Sequence, residues 1–144
     1  TGPVELGWLS LPLTFIGAVG VINALNMIDG LDGLAGGIAL IGFAAFALLT
    51  WFDQNITLFF LSLALSGAVF AFLRYNWAPS HIFMGDSGSL MLGFSLAFLA
   101  IGSSQAPDTV IRPVVPLLLL AVPIVDTVTI MLKRMIEGRS PFRA

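Results

Sequence analysis

NALNMIDGLDGLAGG, Asn23 to Gly37, places two asparagines, two aspartates and several glycines between two strongly apolar runs. The runs on either side decide what this island is. The chain of 144 residues is 58% hydrophobic and only 10% charged, with a mean hydropathy of +1.01. Soluble domains carry roughly 25% charged residues, so the composition is that of a protein whose solvent is a bilayer. Uncharged stretches run from Leu6 to Ile28, Gly33 to Phe52, Gln54 to Leu73 and Ser87 to Pro107, each 20 to 23 residues long. A membrane helix needs about 20 apolar residues, so each stretch is one span. A fifth runs from Pro113 to Leu132 and holds a single charge, Asp126. The island is therefore the join between two spans.

The expected fold is all-α: a polytopic membrane protein with residues 1–144 as a single transmembrane domain. Its five helices are expected at Leu9–Ala24, Leu34–Trp51, Ile56–Leu73, Ser89–Gly102 and Pro113–Leu132. Gly36, Gly37, Gly42, Gly67 and Gly93 fall inside these spans, where small residues let helices approach closely. Cysteine is absent, which excludes disulfides and thiolate metal sites. No basic segment precedes Leu6, so no cleavable signal peptide is read. Six basic residues form no stripe, so nucleic acid is not an expected partner.

Charge orients the bundle. Alternating spans put the Asn23–Gly33 loop, the Arg74–Ser87 loop and the tail from Lys133 on one side. That side carries Arg74, Lys133, Arg134, Arg139 and Arg143, and the other carries only Arg112. The positive-inside rule assigns the basic side to the cytoplasm. Both polar loops then share the cytoplasmic mouth.

Within the island, Asn23, Asn26, Asp29 and Asp32 recur at every third position, a spacing that keeps neighbours on one helical face. Gly30 and Gly33 then break the helix. Carboxylates and carboxamides are hard oxygen donors suited to Mg²⁺ or a ribose. A pair of ordinary Asp-Gly turns would explain DGLDG in a soluble protein, but ionisable groups at a membrane mouth point to function. The second polar loop, RYNWAPSHIFMGDSGS from Arg74 to Ser89, sets Asp86 between glycines at the start of a span. Helix N-termini favour anionic phosphate, and Asp86 could ligate a metal that a phosphate bridges. Capping by Asp86 and Ser87 is the simpler account, and the two uses are compatible. Trp77 reads as an interfacial anchor, and Phe83 suits stacking on a base. His81, the single histidine, reads as a bystander. Asp126, in PIVD, is costly in a span unless it meets a cavity or a partner, and pairing with Lys133 or Arg134 is the structural account. The basic tail can simply orient the chain near anionic lipid.

NALNMIDGLDGLAGG, FMGDSGS, PIVD and GRSPFRA resemble, in order, motifs of the polyprenyl-phosphate N-acetylhexosamine-1-phosphate transferases, and most of all the bacterial undecaprenyl-phosphate N-acetylglucosamine branch. The resemblance implies a bacterial inner-membrane enzyme with cytoplasmic active-site loops, working in cell-wall or O-antigen biogenesis. Such an enzyme moves a sugar-1-phosphate from a UDP-sugar to undecaprenyl phosphate and releases UMP, using Mg²⁺ or Mn²⁺; a homodimer is compatible with it. Carried over by motif, Asp29, Asp32 and Asp86 are the catalytic set. Asp86 would bind the metal with help from Asn26. Asp29 and Asp32 would line the nucleotide-sugar site, and Asn23, Asn26 and Gly85 fall in the substrate-binding set. Phe83 would lie against uracil, and Asn76 would reach the nucleotide or its phosphates. Positioning and metal neutralisation dominate phosphoryl transfer. A lipid phosphate, with a second pKa of about 6, needs no strong general base.

The chain departs from the family pattern in two ways: no two acidic residues are adjacent, and no histidine cluster follows SPF. The family implies a bundle of roughly ten spans, against the five that runs of about 20 apolar residues make here. The expectation is an internal fragment, inactive alone. The alternatives are the phospho-N-acetylmuramoyl-pentapeptide transferase branch and, from another class, a cation channel or transporter segment using Asp29, Asp32, Asp86 and Asp126 as its pathway.

Overall fold

In a computed structural model, residues 7–105 and 109–138 are described, and every regular element among them is helical. After a short 3-10 turn the chain forms α1 (Ser10–Ile28), α2 (Leu34–Phe52), α3 (Ile56–Asn76), α4 (Gly85–Ser104), α5 (Val114–Leu119) and α6 (Ala121–Ile136). Four helical segments are long and apolar enough to cross a membrane: Gly7–Ile28, Leu34–Phe52, Ile56–Asn76 and Gly85–Ser104. This is an all-α membrane protein. The SPFRA stretch, Arg139, Arg143 and Pro107 lie outside the described residues.

The expected fifth span is not one helix. It breaks at Leu120 (φ −92°, ψ 6°) into α5 and α6. Pro123 explains the break, because a proline has no N–H to give the carbonyl one turn back and its ring crowds that carbonyl. Hydrogen bonds resume with Ile124 N–H donating to Leu120 O at 3.2 Å. The other ends also differ from expectation. α1 runs to Ile28, so Asn23 and Asn26 are helical and Asp29 is the cap that leaves the helix at ψ 44°. α4 begins at Gly85, which puts Asp86 in its first turn.

The main packing pairs are one of sequence neighbours and one of distant helices. α2 lies along α3 and α1 along α4; α2 also touches α4, and α6 rests on α1. Phe43, Phe46, Leu25, Leu96 and Leu99 are fully buried at the centre. Phe15, Phe70 and Phe94 point outward, as lipid-facing side chains do. α1 meets α4 backbone to backbone. A Cβ on Gly93 would sit 2.7 Å from Ile22 Cα, so only glycine permits that approach. By contrast, Gly37 and Gly67 face open space, and their expected role in helix contact has no counterpart among the described residues.

The two ends of the bundle are both tied by carboxylates or carboxamides. Away from the motif loops, Asp53 accepts from Thr109 Oγ1 at 2.8 Å and from Val110 N at 2.9 Å. Asn55 caps α3 by accepting from Leu58 N at 3.2 Å. At the other end, the α1–α2 and α3–α4 connections meet.

Candidate active site at the motif end

Two groups of polar residues form where these connections meet. The first lies between α1 and α4. Asn26, on the last turn of α1, donates through Nδ2 to Ser89 Oγ at 2.8 Å and to Asp86 Oδ1 at 3.3 Å. Two motifs 60 residues apart are thereby joined through α1–α4 packing. Ser89 is buried and its hydroxyl also lies within reach of the Asp86 and Gly85 carbonyls. Asp86 is exposed, and no side-chain bond caps α4, so its carboxylate is not spent on capping. Asp29 is close enough for Asp86 to act on it. Partial burial first, and the negative charge of Asp86 second, push the Asp29 carboxyl above its ordinary value.

This group opens on a groove of about 1190 Å³ walled by α1, the far half of α4, α5 and α6. Asn23, Asn26, Asp86 and Arg134 lie at its polar end. From there it runs along apolar residues such as Val21, Ile124 and Leu120 to Leu13 and Pro113. Asn23 donates its amide back to Val19 O at 2.9 Å. Thr127 also lines the groove, with a buried hydroxyl that has no hydrogen-bond partner among the described residues.

The second group fastens the two loops to each other. Asn76, the last residue of α3, is 3% exposed. Its Oδ1 accepts from Gly33 N at 3.0 Å, and its Nδ2 donates to Ile82 O at 2.8 Å. Asp32 Oδ2 accepts from Ser80 N at 3.1 Å. Gly33 holds φ at +75°, and a Cβ there would press on the Trp77 ring at 3.4 Å. Phe83 is 77% exposed on the α3–α4 loop, and Gly85, at φ +65°, turns that loop into α4.

The sequence-derived set therefore divides. Asn26 and Asp86 meet directly, with Asp29 beside them and Asn23 on the same groove. Asp32 and Asn76 are engaged between the loops, Asp32 through one oxygen of an exposed carboxylate. Phe83 and Gly85 sit on the connection leading to Asp86. Ser89 was missed, although it stands three positions after Asp86, the spacing that shares a helical face. Arg134 was considered only as an orienting charge or a partner for Asp126; it lines the groove. Asp126 is exposed on α6 and makes no ion pair among the described residues, so the proposed pairing with Lys133 or Arg134 is absent there. His81 is exposed, and its backbone N–H donates to Tyr75 O.

The donor chemistry fits a divalent cation. Two carboxylates that repel one another, beside a carboxamide oxygen, suit Mg²⁺, which is held by one or two carboxylates and substrate phosphates. Among the described residues no group of three or more His, Cys, Asp or Glu could hold a metal, so phosphate oxygens would complete the set.

The family model described as glycosyl transferase family 4 matches residues 1–104. The chain belongs to that family. It is 41% identical over 133 residues to the probable undecaprenyl-phosphate N-acetylglucosaminyl 1-phosphate transferase of Bacillus subtilis (strain 168), covering 92% of this chain and 37% of the relative. The Haemophilus influenzae (strain ATCC 51907 / DSM 11121 / KW20 / Rd) undecaprenyl-phosphate alpha-N-acetylglucosaminyl 1-phosphate transferase is 38% identical over 149 residues, with 99% of this chain and 42% of the relative covered. The Salmonella typhi protein with that name is 37% identical over 110 residues, with 74% and 30% covered. The chain thus spans less than half the length of these family members.

Proposed function

We propose that the protein containing this chain transfers N-acetylglucosamine-1-phosphate from its UDP derivative to undecaprenyl phosphate, and that this chain supplies the metal and nucleotide-sugar side of the site. The observation that carries the reading is the Asn26–Asp86–Ser89 junction, with Asp29 beside it, at the polar mouth of an apolar groove. A phosphate that carries a long isoprenoid needs both environments within reach of each other. The groove offers the tail an apolar wall, and its mouth offers the phosphate polar groups.

The reaction is an in-line displacement at phosphorus. An oxygen of the lipid phosphate forms a bond to the sugar-bearing phosphorus, the bond from that phosphorus to the bridging oxygen breaks, and UMP leaves with that oxygen. When bound, Mg²⁺ supplies charge neutralisation on the diphosphate. Asp86 and Asp29 would hold the cation, and Asn26 steadies the Asp86 carboxylate by donating through Nδ2. Phe83 gives the uracil a flat apolar face. The five-to-one division of basic residues supports a cytoplasmic position for the loops, where UDP-sugars are made.

The test is UMP release from UDP-N-acetylglucosamine in proteoliposomes holding undecaprenyl phosphate, comparing this chain with a version extended to the length of its relatives. The extended protein should turn over and should stop when Mg²⁺ is chelated. Turnover with UDP-N-acetylmuramoyl-pentapeptide in its place would move the protein to the other branch. Single cysteines at Leu31 and Gln54, labelled from outside intact cells, check orientation: Leu31→Cys should be protected and Gln54→Cys labelled.

A further inference from the structure

α6 carries a polar stripe that the groove does not use. Asp126, Thr129 and Lys133 stand three and four positions apart, a spacing that puts side chains on one helical face, and all three are exposed. The groove lies on another flank of the helix, lined by Ile124, Thr127 and Met131, and none of the three polar residues borders it. The surface beside the stripe is apolar, with Val122, Val125 and Leu132 exposed. Thr129 satisfies its hydroxyl within α6 by donating to Val125 O at 2.7 Å. Lys133 stands in the last turn, and its long stem can carry the charge to the interface. Asp126 has no such route. It lies seven residues earlier, about 10 Å further along the helix, and its carboxyl stands on a single methylene. Among the described residues it has no hydrogen bond or ion pair.

Lipid offers a carboxylate nothing to bond with, so ionisable groups in membrane helices pair with one another or face a cavity. The groove is not that cavity, and the partner must come from beyond these helices. This chain matches only 37% and 42% of the length of two of its relatives, so a family-length protein has further segments to pack. We propose that the Asp126 face of α6 is the seat of another membrane helix of the family-length protein, one that presents an arginine or a lysine to the Asp126 carboxylate. Charge sets the chemistry of that helix, and the turned-back Thr129 hydroxyl leaves a small side chain over which it can approach closely. The proposal rests on family membership and on the placement of Asp126, and it stands apart from the transfer reaction.

Thermal unfolding of the purified family-length protein in detergent reads the seat by the sign of its response. A carboxylate turned to lipid is a liability, and Asp126→Leu would then raise the Tm or leave it unchanged. A carboxylate paired with a cation on a packed helix is a support, and its removal strands the cation. Asp126→Leu and Asp126→Asn should therefore both lower the Tm by about 5–10 °C, and Asp126→Glu, which keeps the charge, should stay much closer to the wild type. If the leucine and asparagine proteins do not accumulate, the glutamate protein still decides: it should fold, and its loss as well would overturn the ion pair. A raised or unchanged Tm in Asp126→Leu, or a wild-type Tm in Asp126→Asn, would overturn the proposal. Thr129→Cys, as the single cysteine of the family-length protein, probes the same face with Asp126 intact. In native membranes it should resist a water-soluble maleimide and should form no disulfide with a second copy. Ready labelling would put the face in water, and a cross-linked dimer would put a second copy on it; either result overturns the proposal. A wild-type protein that gives the expected responses but releases no UMP would overturn the transfer reading and leave the seat standing.

Discussion

Asp53 and Asp86 sit at opposite ends of one bundle, and they differ in how far their carboxylate oxygens are engaged. Both oxygens of Asp53 are engaged, one by the Thr109 hydroxyl and one by the Val110 N–H. That end is a closed tie between the α2–α3 turn and the segment leading into α5. Asp86 has one neutral donor, the Asn26 amide at 3.3 Å, and is otherwise exposed beside a second carboxylate. Hydrogen-bond saturation, rather than residue type, distinguishes the two ends.

The sharpest test of that contrast is Asp86→Asn in the extended protein. It preserves size and removes charge, and turnover should fall about 10²–10³-fold, the scale of losing one preorganised electrostatic contact, at every Mg²⁺ concentration. UMP release measures it, and near-normal activity would make Asp86 another Asp53. At the opposite end, Asp53→Ala should lower stability by about 2 kcal/mol, since it removes two hydrogen bonds to a charged group, while activity per folded molecule stays constant. Thermal unfolding in detergent alongside the transfer assay reads both, and a loss of specific activity would break the comparison. Gly93→Ala tests whether α1–α4 packing sets the Asn26–Asp86 junction. The added methyl meets Ile22 Cα at 2.7 Å, and a cost of about 1–2 kcal/mol is expected from overpacking, with turnover falling too because Asn26 and Asp86 ride on the two helices pushed apart. Asn55→Ala removes only the cap of α3, at about 1 kcal/mol, and should leave turnover untouched.

Much of this architecture is legible in the linear chain because bilayer physics is one-dimensional. Length and apolarity locate the first four spans to within a few residues, and the alternation of those spans puts both motif loops at one end. The α1 boundary was set four residues early because Asn26 looks like a loop residue, whereas a helix entering an aqueous mouth can carry polar groups on its final turns. The break at Leu120 was missed although Pro116 and Pro123 are in plain sight, because prolines are tolerated within membrane helices when neighbouring groups satisfy the freed carbonyls.

The sequence by itself determined the all-α membrane fold, the membership implied by its motifs, and the residue types available for binding a metal and a diphosphate. Only the tertiary structure decided how those residues divide. Asn26 reaches Asp86 because Gly93 lets α4 lie against the backbone of α1, a contact between segments some seventy positions apart. Asn76 and Asp32 also bridge the two loops, which the packing of α2 along α3 brings together. Side-chain chemistry is local and written in the chain, but whether a polar atom is satisfied depends on which distant segment packing brings to it.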